Sequence, residues 1–302
     1  MNNKPLLDLT VIVLTYNESL HINRCLDSIS KYANSIFIID SNSTDGTQDI
    51  ASKYGAHILQ NPFINQANQF NWALDNANIT TKWVLRLDAD EYLEPKLIDE
   101  LFQKLPEISK NINGVVFKRK HIFMDKPVIR GVYPVKLLRL FRTGAARCEE
   151  RWMDEHIELI SGETVEFEND FVDHNLNSLG WWIQKHNGYS VREAIDLINL
   201  EIPIVSNSNV SGILSTQAQQ KRQKKLKYAR MPLFWRAFYY FIYRYFFKLG
   251  FLDGRPGFLW HFLQGWWYRT LVDAKIYEIK KNCGNNPEKI KEFISKTYQI
   301  KL

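Results

Sequence analysis

Three short apolar runs dominate the first third of the chain, and amphipathic stretches separate them. The runs are Leu9–Leu14, Ser35–Asp40 and Trp83–Leu87. The stretch after the first run repeats its apolar residues at helical spacing, so one face of a helix can pack back on a sheet. This alternation is typical of β–α units. We therefore predict an α/β fold in which helices flank a mostly parallel sheet.

Polar residues directly follow each apolar run. They are Thr15, Tyr16, Asn17 and Glu18 after the first run, the stretch from Asp40 through Asn42 to Thr47 after the second, and Asp88, Ala89, Asp90 and Glu91 after the third. Ligands of open α/β sheets bind beyond the carboxyl ends of the strands. We therefore expect these residues to form one acidic binding site at a single edge of the sheet.

The Asp88-Ala89-Asp90 tripeptide has the spacing of a divalent-metal site. Two carboxylates so spaced can turn towards one hard cation, and oxygen ligands suit Mg²⁺ or Mn²⁺ holding a diphosphate. Simpler interpretations exist for each acid. Asp88 or Asp90 could cap the helix that begins near Pro95. Asp40 could bond its own turn, and Glu18 could be a first-turn helix charge.

Three motifs together resemble the family 2 nucleotide-sugar glycosyltransferases that have the GT-A fold. The motifs are VIVLTYNES, FIIDSNSTDGT and WVLRLDADEYL, and the resemblance covers roughly residues 8 to 175. It implies that Asp90 ligates the metal bridging the diphosphate, with Asp88 beside it. It also implies a nucleotide-sugar site formed by Thr15, Tyr16, Asn17, Glu18, Asp40, Asn42, Asn71, Asp88 and Ala89.

The resemblance further implies a general base and a late metal ligand. Inverting transfer needs a group that takes the proton of the acceptor hydroxyl, and Asp154 or Glu155 resembles the acidic residue that does so. The position in the motif favours Glu155 as the base, although either carboxylate could take the proton. The alternative for both residues is that they are charges on the protein surface. His174 resembles the histidine that completes many GT-A metal sites, and a structural histidine is its alternative. His186 could border the acceptor site or pack in the core.

The second half of the chain is rich in aromatic and basic residues. We predict a catalytic domain over residues 1–177 and a helical region for acceptor and membrane contact over residues 178–302. The sequence contains no run of 18 uncharged apolar residues, so residues 221–268 favour a helix at a membrane surface over a transmembrane span.

A cationic stripe is predicted along the most aromatic part of this region. Arg236, Arg244 and Lys248 are spaced in multiples of four, which places them on one side of a helix. The alternative is that the aromatic side chains pack against the catalytic domain or a second subunit. Nucleic acid is not an expected partner, because the acidic edge of the first domain would repel phosphate.

The stretch from Gly250 to Glu278 resembles the C-terminal region of bacterial lipopolysaccharide-core and exopolysaccharide glucosyltransferases. That resemblance implies a lipid-linked saccharide as the acceptor. Three cysteines without a C-x-x-C pair favour a reducing compartment, and the first residues do not read as a secretory signal. We therefore expect a peripheral protein at the cytoplasmic face of the bacterial inner membrane.

The sequence thus predicts a metal-dependent inverting glycosyltransferase that moves a sugar, from a UDP-sugar, to a lipid-linked saccharide. The 45% hydrophobic and 24% charged content excludes wholesale disorder. Two other functions stay open. A non-catalytic GT-A-like membrane scaffold would bind a donor without turnover, and a glycoside hydrolase with paired carboxylates would need no metal.

Overall fold

The computed structural model describes residues 6–149, 156–204, 223 and 227–300. Within these ranges, a nine-stranded sheet has helices on both faces, and a two-stranded sheet of β9 and β10 lies beside it. The strands are β1 (Leu7–Thr15), β2 (Ala33–Asp40), β3 (His57–Gln60), β4 (Trp83–Asp88), β5 (Glu91–Leu93), β6 (Ile112–Phe123), β7 (Lys126–Val128), β8 (Val135–Arg142), β9 (Ala146–Cys148), β10 (Ile157–Leu159) and β11 (Glu163–His174).

The large sheet has a parallel half and a mixed half. Its strand order is β3-β2-β1-β4-β8-β6-β11-β5, and β7 pairs with β6. Strands β3, β2, β1 and β4 run parallel. Strand β8 is antiparallel to β4 and β6, whereas β11 is parallel to β6. The predicted α/β class is therefore confirmed.

Strand register brings the polar strand ends together. Thr15 at the end of β1 pairs with Asp40 at the end of β2, and Leu14 pairs with Asp88 at the end of β4. Because these strands are parallel, their carboxyl ends share one edge. The convergence predicted for these three strand ends is confirmed.

Helices cover both faces of the sheet. Along β1, Val11 and Val13 pack into one apolar cluster and Ile12 into the other, as expected for a strand buried on both sides. The helices are α1 (Ile22–Ile29), α2 (Thr47–Ser52), α3 (Gln66–Asn76), α4 (Pro95–Lys104), α5 (Leu179–Asn199), α6 (Trp235–Ile242), α7 (Gly254–Trp260), α8 (Tyr268–Cys283) and α9 (Pro287–Tyr298).

The C-terminal helices form a wall against β6 and β7. Helix α6 continues as a π-helical turn at Tyr243–Phe247, and α7 continues through a π-helical stretch at His261–Trp267 into α8. Phe123 of β6, Trp182 of α5 and Trp260 of α7 meet in one apolar cluster. This cluster fixes the helical wall beside the carboxyl edge of the sheet.

The predicted cationic stripe is wrong. Arg236 is 2% exposed and Arg244 is 5% exposed, so neither guanidinium lies on the surface. Arg236 Nε donates to Asp273 Oδ1 of α8 at 2.8 Å, and Arg244 Nε donates to the carbonyl oxygen of Gly131 at 3.2 Å. Helical spacing correctly places the two arginines on one side of the helix. That side packs against protein, where Asp273 and the Gly131 carbonyl oxygen accept their hydrogen bonds.

A set of exposed, mostly aromatic side chains lies on α6, on the π-helical turn that follows it, on the turn at Gly250–Asp253 and on α7. Each of these side chains is between 42% and 76% exposed. We call this set the aromatic surface, and it comprises Trp235, Tyr239, Tyr243, Phe246, Phe247, Phe251, Leu252 and Phe258. Across the described ranges, no helix is both long enough and apolar enough to cross a membrane.

Candidate functional site

A cleft of about 430 Å³ opens where the carboxyl ends of β1 and β4 face the helical wall. Side chains from α5, α7 and the start of α8 line one side. The other side is acidic, and its carboxylates belong to Glu18, Asp88, Asp90, Glu91 and Asp173. The cleft therefore lies at the edge of the sheet where the sequence predicts a binding site.

Asp88 is held between arginines. Arg139 Nη2 lies 3.3 Å from its Oδ2 and Arg86 Nη2 lies 3.6 Å from its Oδ1. Arg139 also pairs with the buried Glu91, whose Oε2 accepts the backbone N–H of Asp88 at 2.9 Å. Burial would raise the pKa of Asp88, but the charges of Arg139 and Arg86 outweigh it and the pKa is lowered. Asp88 is therefore an ionised, fixed carboxylate.

Asp90 lies in a more strained electrostatic environment than Asp88. Its Oδ2 accepts a hydrogen bond from Asn175 Nδ2 at 2.9 Å. Burial and the negative charge of Asp173 raise the pKa of Asp90 to about 6. A positive charge placed beside this carboxylate would offset both effects.

The two aspartates fit a divalent cation. Asp88 Oδ1 accepts no hydrogen bond. The carboxylate of Asp90 lies near the negative charges of Asp173 and Asp88. Within the described part of the chain, no three His, Cys, Asp or Glu side chains are placed to hold a metal by themselves. Mg²⁺ commonly binds one or two carboxylates and takes its other ligands from substrate phosphates and water. The donor set therefore suits a cation bound together with a diphosphate.

His174 is engaged by protein on both ring nitrogens. Arg24 Nη1 lies 3.0 Å from Nδ1, and because a guanidinium only donates, Nδ1 is the acceptor. We therefore assign the ring proton to Nε2, which lies 3.4 Å from Asp125 Oδ1. Burial and the charge of Arg24 lower the pKa of His174. The structure does not gather His174 with Asp90 as a metal centre, and its role as a ligand stays a prediction.

Asp40 is a buried hub of the loop after β2. The side chain is 0% exposed. It accepts hydrogen bonds from Thr15 Oγ1 at 2.8 Å, from Gln48 Nε2 at 2.6 Å and from both the backbone N–H and the hydroxyl of Ser43. The turn interpretation explains these bonds. A contact between Asp40 and a nucleoside stays a prediction.

The loops after β1 and β2 are tied to each other. Asn17 Oδ1 accepts the backbone N–H of Thr44 at 2.9 Å, and the Asn17 N–H donates to Ser43 Oγ at 2.8 Å. Asn17 and Asn42 have φ angles of 54° and 63°, which asparagine tolerates better than most residues. Tyr16 is 61% exposed at the end of β1. These predicted nucleotide-site residues therefore form one ordered rim.

Asn71 and Ala89 have different surroundings. The Asn71 amide pairs with the backbone of Cys148 in both directions, at 2.9 and 2.8 Å, and fastens β9 to α3. Its nucleotide contact stays a prediction. Ala89 is 3% exposed and lines the cleft between the two aspartates.

His21 orients Glu18 and was missed from the sequence. His21 Nε2 accepts the backbone N–H of Leu176 at 2.9 Å, so the proton belongs on Nδ1, which donates to Glu18 Oε2 at 2.6 Å. His21 is 1% exposed. It joins the loop after β1 to the loop after β11, and so fixes Glu18 at the cleft. The sequence signal that could have identified His21 is its position directly before Ile22, the first apolar residue of α1.

Helix α5 supplies aromatic and basic groups to the cleft. The His186 ring stacks on Trp182 with centroids 3.5 Å apart, and its Nδ1 lies 2.9 Å from the Trp182 carbonyl oxygen. Burial lowers the pKa of His186 to about 4, so the ring is neutral near pH 7. His186 thus both packs against the core and lines the cleft. Lys185, which helical spacing places on the same face as Trp182 and Tyr189, also lines the cleft.

The two candidate bases, Asp154 and Glu155, lie outside the described residues. Their role therefore stays a prediction. The described chain resumes at His156, whose carbonyl oxygen accepts the backbone N–H of Glu149 at 2.8 Å.

Comparisons with known proteins agree with the fold and with the strand-end motifs. Residues 10–154 match the family model described as glycosyl transferase family 2. A Rickettsia bellii protein named as an uncharacterized glycosyltransferase is 25% identical over 287 residues, covering 91% of this chain and 88% of that protein. The lipopolysaccharide core biosynthesis glycosyltransferase LpsC of Rhizobium meliloti is 30% identical over 149 residues, covering 47% of this chain and 54% of LpsC. Matches to other Rickettsia glycosyltransferases span about a third of their length.

One solved structure resembles most of the chain. The mannosyltransferase PcManGT from Pyrobaculum calidifontis, in complex with GDP-mannose and Mn²⁺, has a TM-score of 0.50 and 15% identity. The likeness covers 89% of this chain and 87% of that one. It supports the α/β fold of this chain.

Proposed function

We propose that this chain, whose residues 10–154 match the glycosyl transferase family 2 model, transfers a sugar from a nucleotide-diphosphate donor to a saccharide acceptor. One observation carries the proposal. The cleft places Asp88 and Asp90 at the carboxyl edge of parallel strands, with Glu18 from the loop after β1 on the same side. That is where open α/β sheets bind ligands, and it is where a diphosphate with a cation would find oxygen ligands.

The donor is proposed to be a UDP-sugar, and the residues of the cleft have distinct tasks. Asp88 and Asp90 would hold Mg²⁺ or Mn²⁺, which supplies positive charge to the diphosphate when bound. Arg139 keeps Asp88 ionised and in place. His21 holds Glu18 by its hydrogen bond, so Glu18 stays at the rim of the cleft.

The transfer is proposed to invert the anomeric carbon. The acceptor hydroxyl oxygen forms a bond to that carbon, the bond to the diphosphate oxygen breaks, and the electron pair leaves with the diphosphate. Glu155 or Asp154 takes the hydroxyl proton as general base.

The acceptor is proposed to be a lipid-linked saccharide of lipopolysaccharide or exopolysaccharide synthesis at the cytoplasmic face of the bacterial inner membrane. LpsC, a relative, is named as an enzyme of lipopolysaccharide core biosynthesis. Residues 221–268 contain ten Lys or Arg, of which Arg236 and Arg244 are buried, and one acid, Asp253. The aromatic surface presents rings that favour the headgroup level of a bilayer, and basic residues in the same stretch of sequence favour anionic lipid. Trp260 of the same segment lines the cleft, so a membrane-bound enzyme would face its acceptor.

The test is sugar transfer with a donor panel. Detergent-purified protein is incubated with Mn²⁺, a bacterial glycolipid extract and one of UDP-glucose, UDP-galactose, UDP-N-acetylglucosamine or GDP-mannose, and glycolipid labelling is measured. We expect labelling from a UDP-sugar that stops when EDTA removes the metal. Labelling that survives EDTA would contradict the metal site, and nucleotide binding without labelling from any donor would favour the scaffold hypothesis.

A further inference from the structure

Lys185 of α5 faces the acidic side of the cleft. It lines the cleft together with Glu18 and Asp90. Its Nζ lies 4.5 Å from the ring centroid of Trp181 and 5.7 Å from that of Tyr189. The Trp181 ring attracts the cation and the Tyr189 side chain hydrogen-bonds it. An ammonium group has three N–H donors, so donors remain for an anion. The ammonium group is thus held in place by the helix that carries it.

Lys185 differs from the other cations of the cleft. Arg119 pairs with Asp173 at 3.2 Å, and Arg269 pairs with Glu193 at 2.6 Å. Among the lining residues that the structure describes, Lys185 is the cation that has no carboxylate within ion-pair distance. Because no carboxylate contacts the ammonium group directly, its N–H groups can donate to a bound anion.

The Lys185 ammonium keeps its proton. Burial acts to lower its pKa, but Tyr189 and the carboxylates of Asp90 and Glu18 outweigh burial, and the pKa is raised. The group is therefore a permanent positive charge near neutral pH. It is close enough to Asp90 and Glu18 for their charges to act on it.

We propose that Lys185 binds a phosphoryl oxygen in the cleft, and that this oxygen belongs to the β-phosphate of the donor. The inference rests on the proposed nucleotide-diphosphate donor. A phosphate on the acceptor would offer the same chemistry, but Lys185 faces the Asp90 and Glu18 side, where the donor diphosphate is expected. When the bond from the anomeric carbon to the β-phosphate oxygen breaks, Lys185 offsets the negative charge that stays on that oxygen.

The test compares UDP with UMP, which lacks the β-phosphate. Their dissociation constants are measured by titration calorimetry with MnCl₂ present, for the full chain and for Lys185→Met and Lys185→Arg. The matched control is Lys281→Met, because Lys281 is an exposed lysine of α8 outside the cleft. Lys185→Met should weaken UDP binding about tenfold or more and leave UMP binding unchanged. Lys185→Arg should keep part of the preference for UDP.

The outcomes separate this inference from the proposed function. If the unmodified chain binds neither nucleotide, the proposed function fails. If it binds UDP and Lys185→Met binds UDP equally well, the inference on Lys185 is wrong. Equal weakening of UDP and UMP would also overturn it, since that pattern reports damage to the site as a whole. Unchanged UDP binding with a raised KM for the acceptor would assign the phosphate to the acceptor and overturn the donor assignment.

Discussion

Replacing Arg236 by Met should lower the free energy of unfolding of the protein. It should not weaken binding to membranes. The reason is the burial of the pair, since Arg236 is 2% exposed and Asp273 is 1% exposed. Asp273 accepts hydrogen bonds from Arg236 Nε and Nη2, and its Oδ2 accepts the backbone N–H of Phe234 at 2.7 Å. Among the described donors, Arg236→Met leaves Asp273 with the Phe234 N–H alone.

The magnitude follows from the charge left behind. Removing one partner of a buried ion pair destabilises by about 3–5 kcal/mol, because the remaining charge is buried without compensation. Arg236→Met should therefore lower the free energy of unfolding by about that amount. The double variant Arg236→Met with Asp273→Asn should recover about 2 kcal/mol or more, since it removes the second charge and keeps an acceptor for Phe234.

The assay is urea unfolding followed by tryptophan fluorescence, with vesicle binding measured on the same samples. Lys248→Met is the matched control, because Lys248 is exposed on the same helical segment. It should change the free energy of unfolding by less than about 0.5 kcal/mol. The reasoning is refuted if Arg236→Met unfolds like the unmodified protein and instead loses vesicle binding, as a surface arginine would.

Three further outcomes are expected. The double variant Phe246→Ser with Phe247→Ser should weaken binding to anionic phospholipid vesicles about tenfold or more, as measured by co-sedimentation, and should leave the free energy of unfolding unchanged. Unchanged vesicle binding would show that the aromatic surface does not contact the membrane. Glu155→Gln should lower the transfer rate about 10²–10⁴-fold if Glu155 is the base, and a loss confined to Asp154→Asn would assign the role to Asp154. Burial and the nearby Arg244 lower the pKa of His261 from 6.5 to about 4. The unfolded state therefore binds the extra proton first, and stability should fall by about 3 kcal/mol as pH drops from 6.5 to 4. His261→Gln should flatten that part of the stability profile, and an unchanged profile would contradict the shift.

Local sequence patterns predicted the parallel half of the sheet well. Apolar runs with period-3.6 stretches between them specify strands and covering helices, and the strand-end position of Asp88 then follows from topology. Helix α1 shows the limit, because it begins at Ile22 and Glu18 is therefore not a charge of its first turn. The residues before it bond to the neighbouring loop, where the Glu18 N–H donates to Thr47 Oγ1 at 2.8 Å.

Contacts between distant residues were not predictable from such patterns. Strand β11 pairs with β6 across some fifty residues, and alternation alone does not name a partner strand. The burial of Arg236 depends on Asp273, which lies 37 positions away. The role proposed for Lys185 also depends on a distant residue, because Lys185 lies in the same cleft as Asp90.

The most direct test of the account is metal-dependent UDP binding at Asp90. Thermal unfolding is measured with and without UDP, each with and without Mn²⁺, for the unmodified chain, for Asp90→Asn and for the control Asp99→Asn, an exposed residue of α4 outside the cleft. UDP at about 100 times its dissociation constant should stabilise by about 2.7 kcal/mol. The account predicts a shift that needs both UDP and Mn²⁺, persists in Asp99→Asn and disappears in Asp90→Asn. An equal shift in Asp90→Asn, or none in the unmodified chain, would contradict it.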